Sequence, residues 1–386
     1  MFASVYVHIP FCLRKCLYCD FASYPGKESL FEPYVQALRT QIRRASESFP
    51  GTRVPTIYFG GGTPNVLPPE SLASILDEIR RGFRVDADAE ISSEANPGVA
   101  SNQSSVIGET RRRLRSAVRS LREAGFNRLS LGVQSLHDDE LRRLGRVHTA
   151  EEAVEAFREA REARFGNISV DLMYGIPGQT SASWRETLRR VIGLGPEHVS
   201  LYSLTVEEGT PFHEMQCEGR LELPGSDIEA GMYEDAIEML TSAGFAHYEI
   251  SNFARPGFEC RHNITYWRNE PYLGFGSGAT SYVDGVRTTS VADVEEYIRR
   301  VEAGESVAES EEHLTGRAAV GETMFLGLRM LGGVNRQDAK YAKAEAMFGP
   351  EIEGLIERGL LEREEGFLRL TRRGLFFAND VFAEFV

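Results

Sequence analysis

The chain has 386 residues, a formal net charge of −14 and an ordinary globular composition that is 42% hydrophobic. The acidity excludes broad nucleic-acid binding through phosphate neutralisation, and no apolar run reaches the roughly 18 residues that a membrane-spanning helix needs. Five cysteines, an odd number, suit a reducing cytoplasm better than a disulfide framework, and the start M-F-A-S-V-Y-V-H lacks the pattern of a signal peptide.

In chain order, Val5 to Ile9 is an apolar run stopped by Pro10, which predicts a strand leading into a polar loop. Phe31, Tyr34, Val35, Leu38 and Ile42 share one face of a helix expected over 31–48. Pro55 to Phe59 is the second strand, closed by G-G-G-T-P at Gly60 to Pro64. Leu72, Ile75, Leu76 and Ile79 mark the next helix. Glu90 to Glu94 predicts a strand ending in E-A-N-P-G, and a helix is expected over about 111–123. Its run R-R-R-L-R, Arg111 to Arg115, reads as a local basic patch or, more commonly for such runs, a solvated helix face. Arg128 to Val133, Ile168 to Met173 and His198 to Leu204 predict further strands, separated by helices over Ala150 to Ala163 and Trp184 to Ile192.

Repeated strand-then-helix units predict an α/β fold with a parallel sheet. Six strands rather than eight imply an open partial (β/α)6 barrel over residues 1–210. Its polar and glycine-rich segments fall at the C-terminal strand ends, where α/β barrels keep their sites. An open doubly wound sheet is the alternative and uses the same edge. Residues 211–305 are expected to form an α+β extension, with a helix over Ile228 to Ala243 and the segments Tyr248 to Ala254, Cys260 to Trp267 and the glycine-rich Leu273 to Ala279. Glu302 to Glu312 reads as an acidic linker. Within 306–386, helices over Ala318–Leu331, Gln337–Phe348 and Glu351–Arg358 precede a hairpin with Gly366 at its turn, a small winged-helix-like module.

Three of the five cysteines, Cys12, Cys16 and Cys19, sit in the first loop with the spacing C-x3-C-x2-C. Thiolates suit iron–sulfur clusters, zinc and cuprous copper. A [4Fe–4S] cluster normally takes a full set of cysteine thiolates, so this loop leaves one iron open to a substrate or cofactor. Zinc would need a second ligand pair downstream, yet Cys217 and Cys260 are isolated. Arg14 and Lys15 make the loop too polar for three unrelated core cysteines.

The strand, the C-x3-C-x2-C loop and the G-G-G-T-P turn after the second strand together resemble the radical S-adenosylmethionine (SAM) superfamily. The resemblance covers about the first 210 residues. It implies a [4Fe–4S] cluster on Cys12, Cys16 and Cys19, whose open iron takes the amino and carboxylate groups of SAM and whose electron cleaves a carbon–sulfur bond. It assigns the turn Gly61, Gly62 and Thr63 to the SAM amino group, Tyr18 to the adenine and Tyr6 to a further contact. Glu94, Gln134, Arg146 and Asp171 occur in the order and spacing of SAM-contacting residues in the oxygen-independent coproporphyrinogen III oxidase group. His8 is open to two readings, a cluster neighbour or a packing residue.

Two features divide that group. The oxidase carries a further cysteine two residues after the third ligand, where this chain has Phe21. Its haem-chaperone relatives carry H-N-x-x-Y-W, which here is His262, Asn263, Ile264, Thr265, Tyr266 and Trp267. A lone histidine reads as a hydrogen-bonded structural residue; within this motif the resemblance makes His262 a haem ligand. The implied function is haem binding and transfer to an acceptor protein without coproporphyrinogen oxidase activity. The oxidase and a radical SAM methyltransferase are the alternatives. A donor such as flavodoxin or ferredoxin is implied if SAM is cleaved. No nucleic-acid partner or membrane span is expected, and peripheral membrane contact stays open.

Overall fold

A computed structural model of the chain describes residues 1–99 and 117–386. Strands β1 (Ser4–Ile9), β2 (Arg53–Gly61), β3 (Arg84–Ala95), β4 (Arg128–Gln134), β5 (Ile168–Tyr174) and β6 (His198–Ser203) lie side by side in chain order, each parallel to the next. Helices Phe31–Ser48, Pro69–Gly82, Ala150–Glu162 and Ser181–Leu194 connect them. Arg111 to Arg115 lie outside the described residues, and residues 117–124 are helical.

Strand alternation sorts the two faces. Val5, Val7, Ile57, Phe59, Leu129 and Val170 point outward and are buried with Leu38, Ile75, Phe157 and Leu188 of the helices in one apolar layer. The opposite face is polar: Ser4, His8, Thr56, Glu90, Ser92, Arg128, Ser130, Ser169, His198 and Ser200 are all buried. Such burial is tolerated where a group finds a partner; of these groups, Ser92 Oγ and Arg128 Nε have no hydrogen-bond partner among the described residues. Ser130 Oγ donates to both Asp171 carboxylate oxygens at 3.0 Å, and Ser169 Oγ lies 2.9 Å from His198 Nδ1.

β1 and β6 do not pair, so the barrel stays open. Past β6 the sheet continues antiparallel through β7 (Ala246–Glu249) and β8 (Asn252–Ala254). Past β1 it continues through β9 (Tyr272–Phe275), β10 (Thr280–Val283), β11 (Val286–Ser290) and β12 (Ala308–His313). Among the described residues the whole sheet has 12 strands.

The first two residues of the acidic stretch expected to be a linker instead end helix Val294–Ala303, and its second half is β12. Its residues are mostly exposed, so no apolar alternation betrays it; pairing with β11 makes it a strand, and Arg287 Nη1 meets Glu312 Oε2 at 3.0 Å. Charge on such an edge discourages further strand addition. Beyond it, β13 (Val334–Asn335), β14 (Leu361–Glu364) and β15 (Phe367–Leu370) form a small sheet, with Gly366 at φ 87° in the hairpin turn. Its core, with Met324, Phe348, Ile352, Leu368 and Phe385, is separate from that of the large sheet. Helix Ala339–Glu357 breaks at Phe348, two residues before Pro350, where two helices are expected from the sequence.

Arg128 is 2% exposed among the charges of Glu90 and Asp171. Removing one member of a buried charge set leaves the others uncompensated. Arg128→Leu is expected to cost about 3 kcal/mol of stability, read as a lowered urea midpoint; an unchanged midpoint would disprove a compensating role.

Candidate functional site

β1 delivers the chain into the cysteine loop. Tyr24 N–H bonds Pro10 O at 2.8 Å and Cys12 N–H bonds Tyr24 O at 3.4 Å, closing the loop's stem. Leu17 N–H bonds Leu144 O at 3.1 Å and pins its far side. Cys12, Cys16 and Cys19 line one cavity of about 470 Å³, within the usual range of roughly 300–1,000 Å³ for small-molecule sites. Arg146 Nη1 lies 3.5 Å from Cys16 Sγ, and Thr63 Oγ1 lies 3.3 Å from Cys12 Sγ. Soft donors on one loop beside a guanidinium fit a thiolate-held iron–sulfur cluster. Cys260 is buried away from the cavity, its Sγ 3.7 Å from Glu90, and Cys217 is exposed on helix Pro211–Cys217.

The glycine turn is locked to the loop stem. Gly62 N–H bonds Ile9 O and Thr63 N–H bonds Phe11 O, both at 2.8 Å. A Cβ on Gly62 would lie 2.6 Å from Phe11 O, and one on Gly61, where φ is 107°, would lie 2.4 Å from the His8 ring. Neither position accepts a side chain. His8 Nε2 donates to Ala22 O at 3.0 Å, leaving Nδ1 to accept from the Tyr6 hydroxyl at 3.0 Å. His8 therefore packs under the turn and ties the barrel to the exit of the cysteine loop.

Tyr18, Gly61, Gly62, Thr63, Glu94, Gln134, Arg146 and Asp171 line the same cavity as the cysteines. Gln134 ends β4 in a left-handed conformation, φ 64°, of the kind that collects at functional sites. Gln134 Oε1 and Arg146 Nε are buried without a protein partner, which fits a polar ligand there. Glu94 Oε1 accepts from the Tyr58 hydroxyl at 2.9 Å and Oε2 from Gly61 N–H at 3.2 Å. Burial, with the nearby Asp171 charge adding to it, raises the Glu94 carboxyl to about 7, against the lowering effect of these two bonds.

Two expected contacts lie elsewhere. Tyr6 is not in the cavity lining; it bonds His8 one layer below. His262 is 1% exposed on helix Arg261–Trp267, and both its ring nitrogens are engaged, Nδ1 with Thr56 Oγ1 at 2.8 Å and Nε2 with Tyr266 Oη at 2.9 Å. No nitrogen is left free for a haem iron. Sequence reasoning missed Tyr58, although its inward position between Thr56 and Gly60 on β2 marks it, and Tyr202, 45% exposed on the cavity wall.

The model of the radical SAM superfamily matches residues 6–191, and that of the HemN C-terminal domain matches residues 314–377. The heme chaperone HemW of Bacillus subtilis (strain 168) is 39% identical over 388 residues, covering 99% of this chain and 99% of the relative. The chain belongs to the HemW group of the radical SAM superfamily. The HemW of Escherichia coli (strain K12) is 33% identical over 391 residues, covering 99% of this chain and 98% of its own. The solved coproporphyrinogen III oxidase HemN of Escherichia coli shares the fold, with a TM-score of 0.82 at 24% identity over 99% of this chain and 89% of that one. Radical SAM membership implies a [4Fe–4S] cluster and SAM. Among the described residues, no helix is long and apolar enough to cross a membrane.

Two outcomes are expected. Serine at Cys12, Cys16 or Cys19 abolishes the cluster absorbance of the reconstituted protein, whereas serine at Cys217 or Cys260 leaves it; loss of the cluster on Cys260→Ser would break the assignment. SAM affinity should also depend on pH. Burial holds Glu94 protonated up to about 7, while a cationic ligand favours the carboxylate, so binding releases a proton. Affinity therefore rises between about pH 6 and about pH 8. Glu94→Gln should flatten that rise in an isothermal titration series.

Proposed function

We propose that this protein binds haem and transfers it to an acceptor protein, carrying a [4Fe–4S] cluster on Cys12, Cys16 and Cys19 with exchangeable SAM beside it. Support comes from relatives named heme chaperone HemW that align along nearly the whole chain. The observation that carries the choice over the oxidase is Phe21. It stands on the cavity lining, 63% exposed, where the oxidase resemblance calls for a cysteine. A phenyl ring can neither ligate, donate a proton nor form a conventional hydrogen bond; it can cover the cluster loop and keep water from it.

With SAM bound, the cluster supplies one-electron cleavage of the sulfonium carbon–sulfur bond. The chain's own residues bind and orient. Gly61 to Thr63 let backbone approach the amino end, Arg146 offers a guanidinium to a carboxylate, and Asp171 and Glu94 accept from hydroxyl or ammonium groups. Haem is the cargo, and an electron donor of the flavodoxin or ferredoxin type serves any turnover of SAM.

One anaerobically reconstituted sample tests this. Haem titration should saturate at a fixed stoichiometry. Coproporphyrinogen III with SAM and reductant should yield no protoporphyrinogen IX at a catalytic rate. Sustained decarboxylation would move the chain to the oxidase class despite Phe21.

A further inference from the structure

His262 lies beneath the cavity, and counting donors assigns its tautomer. The Thr56 hydroxyl donates to Ser4 Oγ at 2.8 Å, and the Thr265 hydroxyl donates to Arg261 O at 3.2 Å. The Ser4 hydroxyl is then the donor to Thr265 Oγ1 at 2.9 Å. Thr56 Oγ1 is left to accept from His262, so Nδ1 carries the proton and the Nε2 lone pair takes the Tyr266 hydroxyl. Burial, with the Arg128 charge second, lowers the imidazole to about 3 and keeps it neutral.

The neutral ring then stacks on Tyr58, centroids 5.1 Å apart at 23°. The Tyr58 hydroxyl holds Glu94 Oε1, and Glu94 Oε2 holds the Gly61 amide. A continuous set of contacts thus runs from the H-N-x-x-Y-W helix to the turn at the cavity.

We propose that His262 is a positioning residue for the SAM site: by fixing the Tyr58 ring it aims the Glu94 carboxylate and so sets the Gly61 turn. This rests on the reading of the cavity as the SAM site. It gives the histidine a role different from axial ligation, which would require the Tyr266 hydroxyl to leave Nε2.

The test uses the full-length reconstituted protein and its His262→Ala, His262→Gln and Tyr58→Phe variants. Cluster absorbance reports loading. The SAM-induced change in the electron paramagnetic resonance spectrum of the reduced cluster reports SAM binding, and a haem titration reports cargo binding. His262→Ala and Tyr58→Phe should each raise the SAM concentration for half-maximal change about tenfold, as loss of an outer-shell partner typically does, with cluster and haem stoichiometry unchanged. His262→Gln should recover part of the response, because an amide both donates and accepts while making a poor haem ligand. Tyr58→Phe keeps the ring and removes only the bond to Glu94, so it remains informative if His262→Ala fails to fold. Unchanged SAM response in the variants overturns the proposal. Haem binding lost in both His262 variants and kept in Tyr58→Phe makes His262 a ligand instead. A native spectrum indifferent to SAM defeats the underlying SAM reading, a distinct result.

Discussion

Two backbone hydrogen bonds, Gly62 N–H to Ile9 O and Thr63 N–H to Phe11 O, set the distance between the cysteine loop and the glycine turn. They exist because β1 and β2 are parallel neighbours, with Ile9 opposite Gly61 in the register. Parallel pairing brings both C-terminal ends to the same edge, so the loop after β1 and the turn after β2 leave the sheet together. The approach is so close that a methyl group on either Gly61 or Gly62 would overlap the His8 ring or the Phe11 carbonyl. Backbone groups thus fix the separation of cluster ligands and turn, and side chains refine it.

The polar inner face follows from the same architecture. Closed α/β barrels usually fill their interior with branched apolar residues. Here the inward positions carry Thr56, Tyr58, Glu90, Ser92, Glu94, Arg128, Ser130 and Asp171. A hydrogen bond contributes only about 1 kcal/mol net, whereas a buried partner left alone costs more. These groups therefore add little net stability and much geometric definition. The same desolvation raises Glu94 and Asp171 while it lowers His198 and His262. Burial favours the neutral form of acid and base alike.

Much of this was legible in the chain because its signals are local. The C-x3-C-x2-C spacing, the glycine turn and the strand periods each lie within a few residues, and the structure brings the cysteines, the turn and the strand-end residues Glu94, Gln134 and Asp171 to one cavity. β12 was not legible, since an exposed charged edge strand has no apolar alternation and takes its conformation from β11. The surroundings of His262 were equally hidden. Thr56 is 206 positions away in sequence, and only the return of the chain from β8 to β9 under the barrel makes them neighbours. Tyr6 is a ligand contact by resemblance; the inward alternation of β1 places it against His8, which takes its hydroxyl, and not among the residues lining the cavity.

Helix Arg261–Trp267 joins two parts of the molecule through its two sides. The Glu90 carboxylate accepts from Arg261 N–H at 3.2 Å and His262 N–H at 3.1 Å, fixing where the helix begins. His262 and Tyr266, four residues apart, share a face, and that face meets Thr56 and Tyr58. Trp267, one residue further, turns away by roughly 100°. Its ring lies 4.3 Å from the Arg329 guanidinium, which also approaches Phe382 at 6.0 Å. Asn269 then bonds Thr323 Oγ1 at 3.0 Å. Histidine and tryptophan in this motif therefore answer to different neighbours: one to the barrel interior beneath Glu94, the other to the C-terminal helices. A helix of this kind cannot shift toward either neighbour without disturbing its contacts with the other, which explains physically why both ends of the motif carry large, hydrogen-bonding or cation-binding rings.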